Sequence, residues 1–500
     1  MSFYEAFAWT LLRSAMAAAL AIPISAWLFS LLQSLTGRSR FWWAVLVFCP
    51  LFAPDLIVGY GYRSFELSLL HQPALNHCFY FLVLLLKFAP AAVVVRVCTP
   101  PAALSASALH CANLIHQDRA GVDLFRSIKF RGELSRQLPV FGIVFLLSMQ
   151  EFEIASLLQI PAWTVFLFDA QGSGLSPSVV LRFLGWPVLA QVIVVVPLFL
   201  WGIAQSRNDL PRWRMSDSGE TQRRWQGVAT ALLAALITWG VPLSIVLMSG
   251  LSGFSGVLRN QVLLWSMFLD LFAGLAVAGS CAVLALFLAR ALARNSGRIV
   301  TSADNLERTL PPAILLVAAL PGLLGTLAVS IVILAMIQQP PLTELRSTVW
   351  PMAAGLIVFL VPRAVLLTLL LPVFRRVEST FLSTLLGKSA DRARLNHAAS
   401  LKWWCECRPL FLVAGILVYW SLANLTAAAI LCPPTIPLLS FDGNVVPLPV
   451  RLYRFIHQGR TAALSVMALM SVLVPFLLFV VAARIFPRLY LRIAQFGDRD

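Results

Sequence analysis

Five polar side chains stand inside otherwise apolar runs: Gln150, Glu151 and Glu153 in one, Asn424 and Thr426 in another. In hydrocarbon such groups are costly unless they pair or face a wet cavity, so they are the first candidates for chemistry. Three uses fit them. They line or gate a polar path, they hydrogen-bond neighbouring helices, or they lie at the outer interface, since Glu151 is near the external end of its run. Lys87 is a further charge inside an apolar run, with three outcomes open: an ion pair with Asp55, an ion pair with Glu66, or snorkelling of its head towards water. Arg182, Arg363 and Asp270 lie nearer the ends of their runs and are placed at the membrane interface. No catalytic constellation is visible. The six histidines, His71, His77, His110, His116, His397 and His457, do not gather with acids or serines at one depth. Cys405-x-Cys407 is a lone pair with only His397 near it, so no metal site is read. Gly387-Lys388-Ser389 has the tail of a phosphate-binding loop, but Leu382 stands where the first glycine is required. The chain is therefore expected to bind no cofactor and to catalyse nothing itself.

The elements that hold these residues follow from hydropathy. Of 500 residues, 59% are hydrophobic and 12% charged, with a mean hydropathy of +0.83. A soluble domain carries roughly 25% charged residues. About 20 apolar residues cross the hydrocarbon core as a helix. Eleven such runs occur, near 9–32, 42–61, 77–97, 139–159, 180–203, 226–249, 263–290, 311–336, 351–374, 410–432 and 461–484. The first is longer than the apolar core of a signal peptide and is read as a permanent span. The expected fold is an all-α integral membrane protein. Several of the eight cysteines sit in these runs as small apolar residues.

Orientation comes from the connections. Taken alternately, one set (33–41, 98–138, 204–225, 291–310, 375–409, 485–500) carries 25 Lys and Arg, against 6 in the other. By the positive-inside rule the basic set is cytoplasmic, which puts the N-terminus outside and the C-terminus in the cytoplasm. The net charge of +16 is accounted for by these loops. No basic patch with interleaved aromatics lies elsewhere, so no nucleic-acid partner is implied.

Two cytoplasmic loops, 98–138 and 375–409, are much longer than the rest, and two spans follow each. This points to an internal duplication. The modules are 1–204, with about five spans, and 226–500, with about six, joined by the cytoplasmic linker 205–225; the additional span is 226–249. Pro54-x4-Gly59 lies opposite Pro321-Gly322-x2-Gly325. After the long loops, Glu151 to Leu158 lies opposite Asn424 to Leu431.

Three stretches carry a resemblance to a known family: Thr10 to Pro23 in the opening span, Pro54-x4-Gly59 in the next, and Pro447 to Gly459 before the last. With the duplicated plan, they resemble the fused, double-length permeases of type I bacterial ABC importers, the ferric-iron and thiamine group, over nearly the whole chain. The resemblance implies two permease modules in the bacterial inner membrane and ATP used by separate cytoplasmic ATP-binding subunits, two copies, docked on 104–136 and 378–408. It also implies a periplasmic or lipid-anchored solute-binding protein facing the outer loops, 433–460 among them. The solute would be small and polar or ionic, with ferric iron first and thiamine or a small anion next. The family's coupling signature, EAA-x3-G, is not intact in either loop. The positions that stand nearest to it are Gly121, Phe125, Arg126 and Pro139 in the first, and Asn396, Ala398, Ala399 and Pro409 in the second. Two other classes remain. An ion-coupled secondary transporter would show broken helices and intramembrane carboxylates in both halves. A membrane-embedded enzyme or scaffold would need the catalytic cluster that is missing here.

Overall fold

A computed structural model describes residues 2–35, 37–69, 72–98, 137–206, 224–299, 321–374, 382–383, 385–386, 392–432 and 446–496. Among the described residues the ordered elements are all helical and no strand occurs. Eight helices are long and apolar enough to cross a membrane. A ninth crossing results if Gly37–Phe52 and Asp55–Arg63, bent by 75° at their junction, form one span. The expected span at 139–159 begins with a shorter apolar helix, Gln137–Met149; that at 311–336 ends in one, Thr326–Ile337, and its residues 311–320 lie outside the described residues. The chain is an all-α, multi-pass membrane protein. Its outer faces carry rows of exposed large apolar side chains, such as Leu232, Leu236, Phe287 and Phe476. These are stable against lipid and untenable in water.

The chain divides into two compact units, 1–248 and 249–500. The division falls within Val241–Arg259, so the helix from Arg224 that leads the second half in sequence begins in the first unit.

In the first unit Phe3–Gln33 starts at a capping box: Ser2 Oγ accepts from the Glu5 amide and the Glu5 carboxylate accepts from the Ser2 amide. Ala17, Ala18 and Ala21 are buried, and such small residues let helices approach closely in lipid. This helix packs along Pro73–Cys98. Leu28, Leu31, Ala89, Val93 and Ala231 form the core at one end. The second span is broken. Pro54 forces Ala53 into an extended conformation, and the chain resumes as Asp55–Leu69. After Gln137–Met149 comes a second break, a five-residue helix Glu153–Leu157, then Trp163–Gly172 and the long Pro177–Ser206.

The second unit repeats this order. Gln261–Ile299 packs along Trp350–Phe374. Between them a helical turn at 321–323 ends before Gly325, whose φ of 91° is open to glycine, and the chain resumes as Thr326–Ile337. Arg392–Lys402 runs through a wider turn at Trp403–Cys407 into Arg408–Leu422. A break, the short helix Leu425–Leu431, the amphipathic Leu448–His457 and the long Thr461–Phe496 follow. In each unit the short helix packs on the resumed half of the broken second span.

Three connections expected as loops contain helix: Trp163–Gly172 in 160–179, Arg392–Lys402 in 375–409 and Leu448–His457 in 433–460. The spans expected as continuous at 139–159 and 410–432 are each interrupted. Pure hydropathy cannot register such a break, because the residues flanking it stay apolar.

A Cβ on Gly59 would lie 2.8 Å from Leu157 Cδ1 and 3.3 Å from Ile154 Cα, so glycine is needed where the short helix crosses. Gly59→Ala should lower stability by about 1–3 kcal/mol through overpacking. Gly279→Ala, with nothing within 4 Å of the new methyl, should change it by less than about 1 kcal/mol. Unfolding of the two variants in the same detergent separates these outcomes.

Candidate functional site

The polar residues of the first unit converge on the break at 150–152. Glu151, 6% exposed, accepts a hydrogen bond from Tyr80 Oη at 2.7 Å. It also accepts from the amides of Ile154 at 2.5 Å and Ala155 at 3.1 Å, so it caps Glu153–Leu157. Its backbone carbonyl takes the Thr164 hydroxyl at 2.8 Å, and the Met149 carbonyl takes the Trp163 indole N–H at 2.8 Å. The far side of the turn is held as well. Arg13 donates to the Pro161 carbonyl and contacts His77 Nδ1 at 2.9 Å, while its guanidinium lies 5.3 Å from the centre of the Tyr80 ring. Asn76 donates to the Leu158 carbonyl at 3.1 Å.

A second cluster sits at the Pro54 break. Lys87, 3% exposed, donates to the Ala53 carbonyl at 2.7 Å and pairs with Asp55. Of the three outcomes open in sequence, the structure shows the Asp55 pair. The Trp239 indole N–H reaches the Cys49 carbonyl and the Tyr62 hydroxyl the Ile237 carbonyl, both at 2.7 Å, so carbonyls beside the break and in the wide turn at Leu236–Gly240 are occupied. His77, Tyr80 and Lys87 are spaced three and seven apart, which places them on one face of Pro73–Cys98.

The second unit carries a counterpart with different chemistry. Asn424 caps Leu425–Leu431 by accepting from the Ala427 amide at 3.0 Å. Thr426 Oγ1 lies 2.6 Å from Thr326 Oγ1 and 3.1 Å from the Asn424 side-chain oxygen. Arg363 donates to the carbonyls of Gly322 at 3.3 Å and Phe359 at 2.8 Å and stacks on the Phe359 ring at 3.4 Å. Arg363, five residues from the end of the candidate span Trp350–Thr368, thus holds the carbonyl of a remote turn. Asp270 also has partners from a remote segment. It is 1% exposed, accepts from the Val446 amide at 2.9 Å and pairs with Arg451 of the amphipathic helix. Distance along the run, the criterion used in sequence, misses these partners because they come from remote segments. Arg182 is exposed, as expected of an interfacial position.

The remaining expected residues are dispersed. Gln150 Nε2 bonds Gln191 Oε1 at 2.7 Å, and Glu153 is half-buried at the start of its short helix. Pro139 is buried in Gln137–Met149, Ala398 is buried and Ala399 half-buried in Arg392–Lys402, and Pro409 lies in the first turn of Arg408–Leu422. Asn396 lies on the same helix as Ala398. Gly121, Phe125 and Arg126 lie outside the described residues, as do Gly387, Lys388 and Ser389. Among the described residues no three His, Cys, Asp or Glu side chains come together as metal ligands. Arg13, His77 and Tyr80 were not anticipated as part of a polar site. Arg13 had a signal, a lone charge inside an apolar run.

No family model, curated protein or solved structure matches this chain.

Lys87→Met should destabilise the protein by about 3 kcal/mol, because it strands Asp55 and frees the Ala53 carbonyl. Adding Asp55→Asn should recover part of that loss, and a double-mutant cycle in detergent should give a coupling of about 1–3 kcal/mol. Asn424→Ala should cost about 1 kcal/mol and Asn424→Asp much less, since the aspartate still caps.

Proposed function

We propose that this chain is the transmembrane permease subunit of an ATP-driven importer of the type I ABC plan, with two homologous modules of about eleven spans in all. It provides the path for a small polar or ionic solute, ferric iron first, delivered by an external binding protein. The observation that carries this reading is the direct repeat. Both units run through a long helix, a broken second span, a long third helix packed on the first, and a fourth span that breaks into a capped short helix. A duplicated plan of this kind suits a path that opens to either side by rearrangement of its halves. The basic segment 378–408 leads through Arg392–Lys402 into Arg408–Leu422 without a loop between them, and such a rigid connection suits force transmission from a docked ATP-binding subunit. Arg408 stacks on Trp404 at 4.2 Å and stiffens that junction. The bacterial inner membrane, the cytoplasmic C-terminus and the two partner classes belong to this same proposal.

One observation favours a different class, the ion-coupled secondary transporter. Helices broken in mid-span occur in both units, and such breaks form the ion and substrate sites of many of those proteins. Among the described residues, the carboxylates that class requires are present at the corner of the first unit and not at that of the second.

A tagged chain extracted in mild detergent from its native membrane should bring down an ATP-binding protein. Replacing 378–408 by a neutral segment of equal length should abolish the recovery. If no ATP-binding protein is recovered even after crosslinking, the importer reading fails and ion-coupled transport takes its place.

A further inference from the structure

We infer that the second unit holds a small oxyanion of the phosphate, sulfate or simple carboxylate kind at the corner formed by Arg363, Thr326 and the start of Thr326–Ile337. The basis is a comparison of the two units at one position. In the first, the residue that resumes the broken span is Asp55, and the cation from the third helix, Lys87, pairs with it. In the second, the residue that resumes the span is Thr326, and the third helix still brings a cation, Arg363. Both cations grip a backbone carbonyl of the preceding turn, Ala53 in one case and Gly322 in the other. The cation is retained and its tethered carboxylate is replaced by a hydroxyl.

Among the described residues Arg363 has no acidic partner. Its contacts to the Gly322 and Phe359 carbonyls both come from Nη1. The Nε–Nη2 edge, the pair of parallel donors that fits an oxyanion, makes no hydrogen bond there. A guanidinium in the hydrocarbon region without a counter-charge is unfavourable, and a bound anion removes that penalty.

Further donors lie on the helix that begins four residues after Gly322. Thr326–Ile337 is 12 residues long and starts at Gly325 with no side-chain cap, while Leu327 and Ala328 are buried. Its first amides are therefore donors without side-chain partners at a buried helix start, where negative charge is favoured. Thr326 and Thr426 share one hydroxyl–hydroxyl hydrogen bond, so the Thr326 oxygen marks the polar edge of the corner. Ser330, one turn further on the same face, is fully buried with a partnerless hydroxyl. Thr326 itself is half-buried, so the corner is accessible. In the first unit Asp55 supplies the negative charge from within the chain. The site depends on none of the partners proposed above.

The test is saturable binding of ³⁵S-sulfate and ³²P-orthophosphate to the purified full-length chain in detergent. One of the two should bind with a stoichiometry of one per chain. Thr326→Asp, which installs the tethered carboxylate of the first unit, should weaken binding by about tenfold or more and raise the anion-free Tm. Arg363→Lys, which keeps the charge but loses the paired edge, should weaken binding by a similar factor. Arg346→Gln, an exposed position outside the corner, should bind as the parent does. Rapid chase of bound label by excess cold anion would mark the anion as a passing solute; retention through gel filtration would mark it as a resident counter-ion. Absence of binding by the parent chain, or equal binding by Thr326→Asp and Arg363→Lys, overturns the proposal. Neither result bears on recovery of an ATP-binding subunit, so the two proposals fail separately.

Discussion

A helix that breaks inside hydrocarbon releases backbone amides and carbonyls that no water can satisfy, and each one left bare costs several kcal/mol. Among the described residues, the polar side chains gathered at the breaks answer that constraint. The chain breaks twice in each unit, at Pro54 and at 150–152 in the first, at Gly325 and at 423–424 in the second. At each break a side chain carried on another helix, or on the break itself, takes up the released group. Lys87 and Arg363 take carbonyls at the broken second spans, and Glu151 and Asn424 take amides at the short helices. Trp163, Thr164 and Arg13 supply donors to the Met149, Glu151 and Pro161 carbonyls of one re-entrant turn.

The charges are thereby explained from the backbone outward. A lysine or arginine at mid-span costs about 3 kcal/mol when it stands alone on an inserted helix. Lys87 and Arg363 sit there because each replaces a hydrogen-bond partner that the broken helix has lost. Duplication makes the inference stronger, since both units place a cation on the third helix against the break of the second. The breaks also fix where glycine is required. Gly59 lets the short helix cross the resumed span, and Gly325 takes a φ that a residue with a Cβ seldom adopts.

The long apolar runs were legible in sequence, because they rest on composition alone, and the polar residues Glu151 and Asn424 stood out within them. The Lys87–Asp55 pair was legible as one of three alternatives. The breaks themselves were half-legible: Pro54 and Gly325 stood out as residues, but hydropathy passes smoothly through 150–152. The short helix Glu153–Leu157 is followed by Gln159 at φ 51°, where glycine or asparagine would have marked the stop in sequence. Asp270 and Arg451, 181 positions apart, meet only because the amphipathic helix Leu448–His457 folds back, a partnership that no local pattern records. The basic loops at 104–136 illustrate a different boundary, since loop length and charge speak to topology and leave the contacting residues open.

The two units use the same scaffold with opposite electrostatics, and that difference bears on mechanism. In the first unit the carboxylates are already engaged. Glu151 receives three hydrogen bonds, and Asp55 is held by Lys87. A carboxylate that caps a helix and receives a tyrosine hydroxyl is poorly placed to release those partners to a coupling ion on each cycle, because the short helix would lose its cap. Among the described residues the second unit has no carboxylate at the corresponding corner, where Thr326, Asn424 and Thr426 meet. The polar groups at these breaks thus stabilise a duplicated, interrupted scaffold rather than form a pair of ion-carrier sites. That arrangement differs from the paired carboxylates that an ion-coupled carrier uses in both halves.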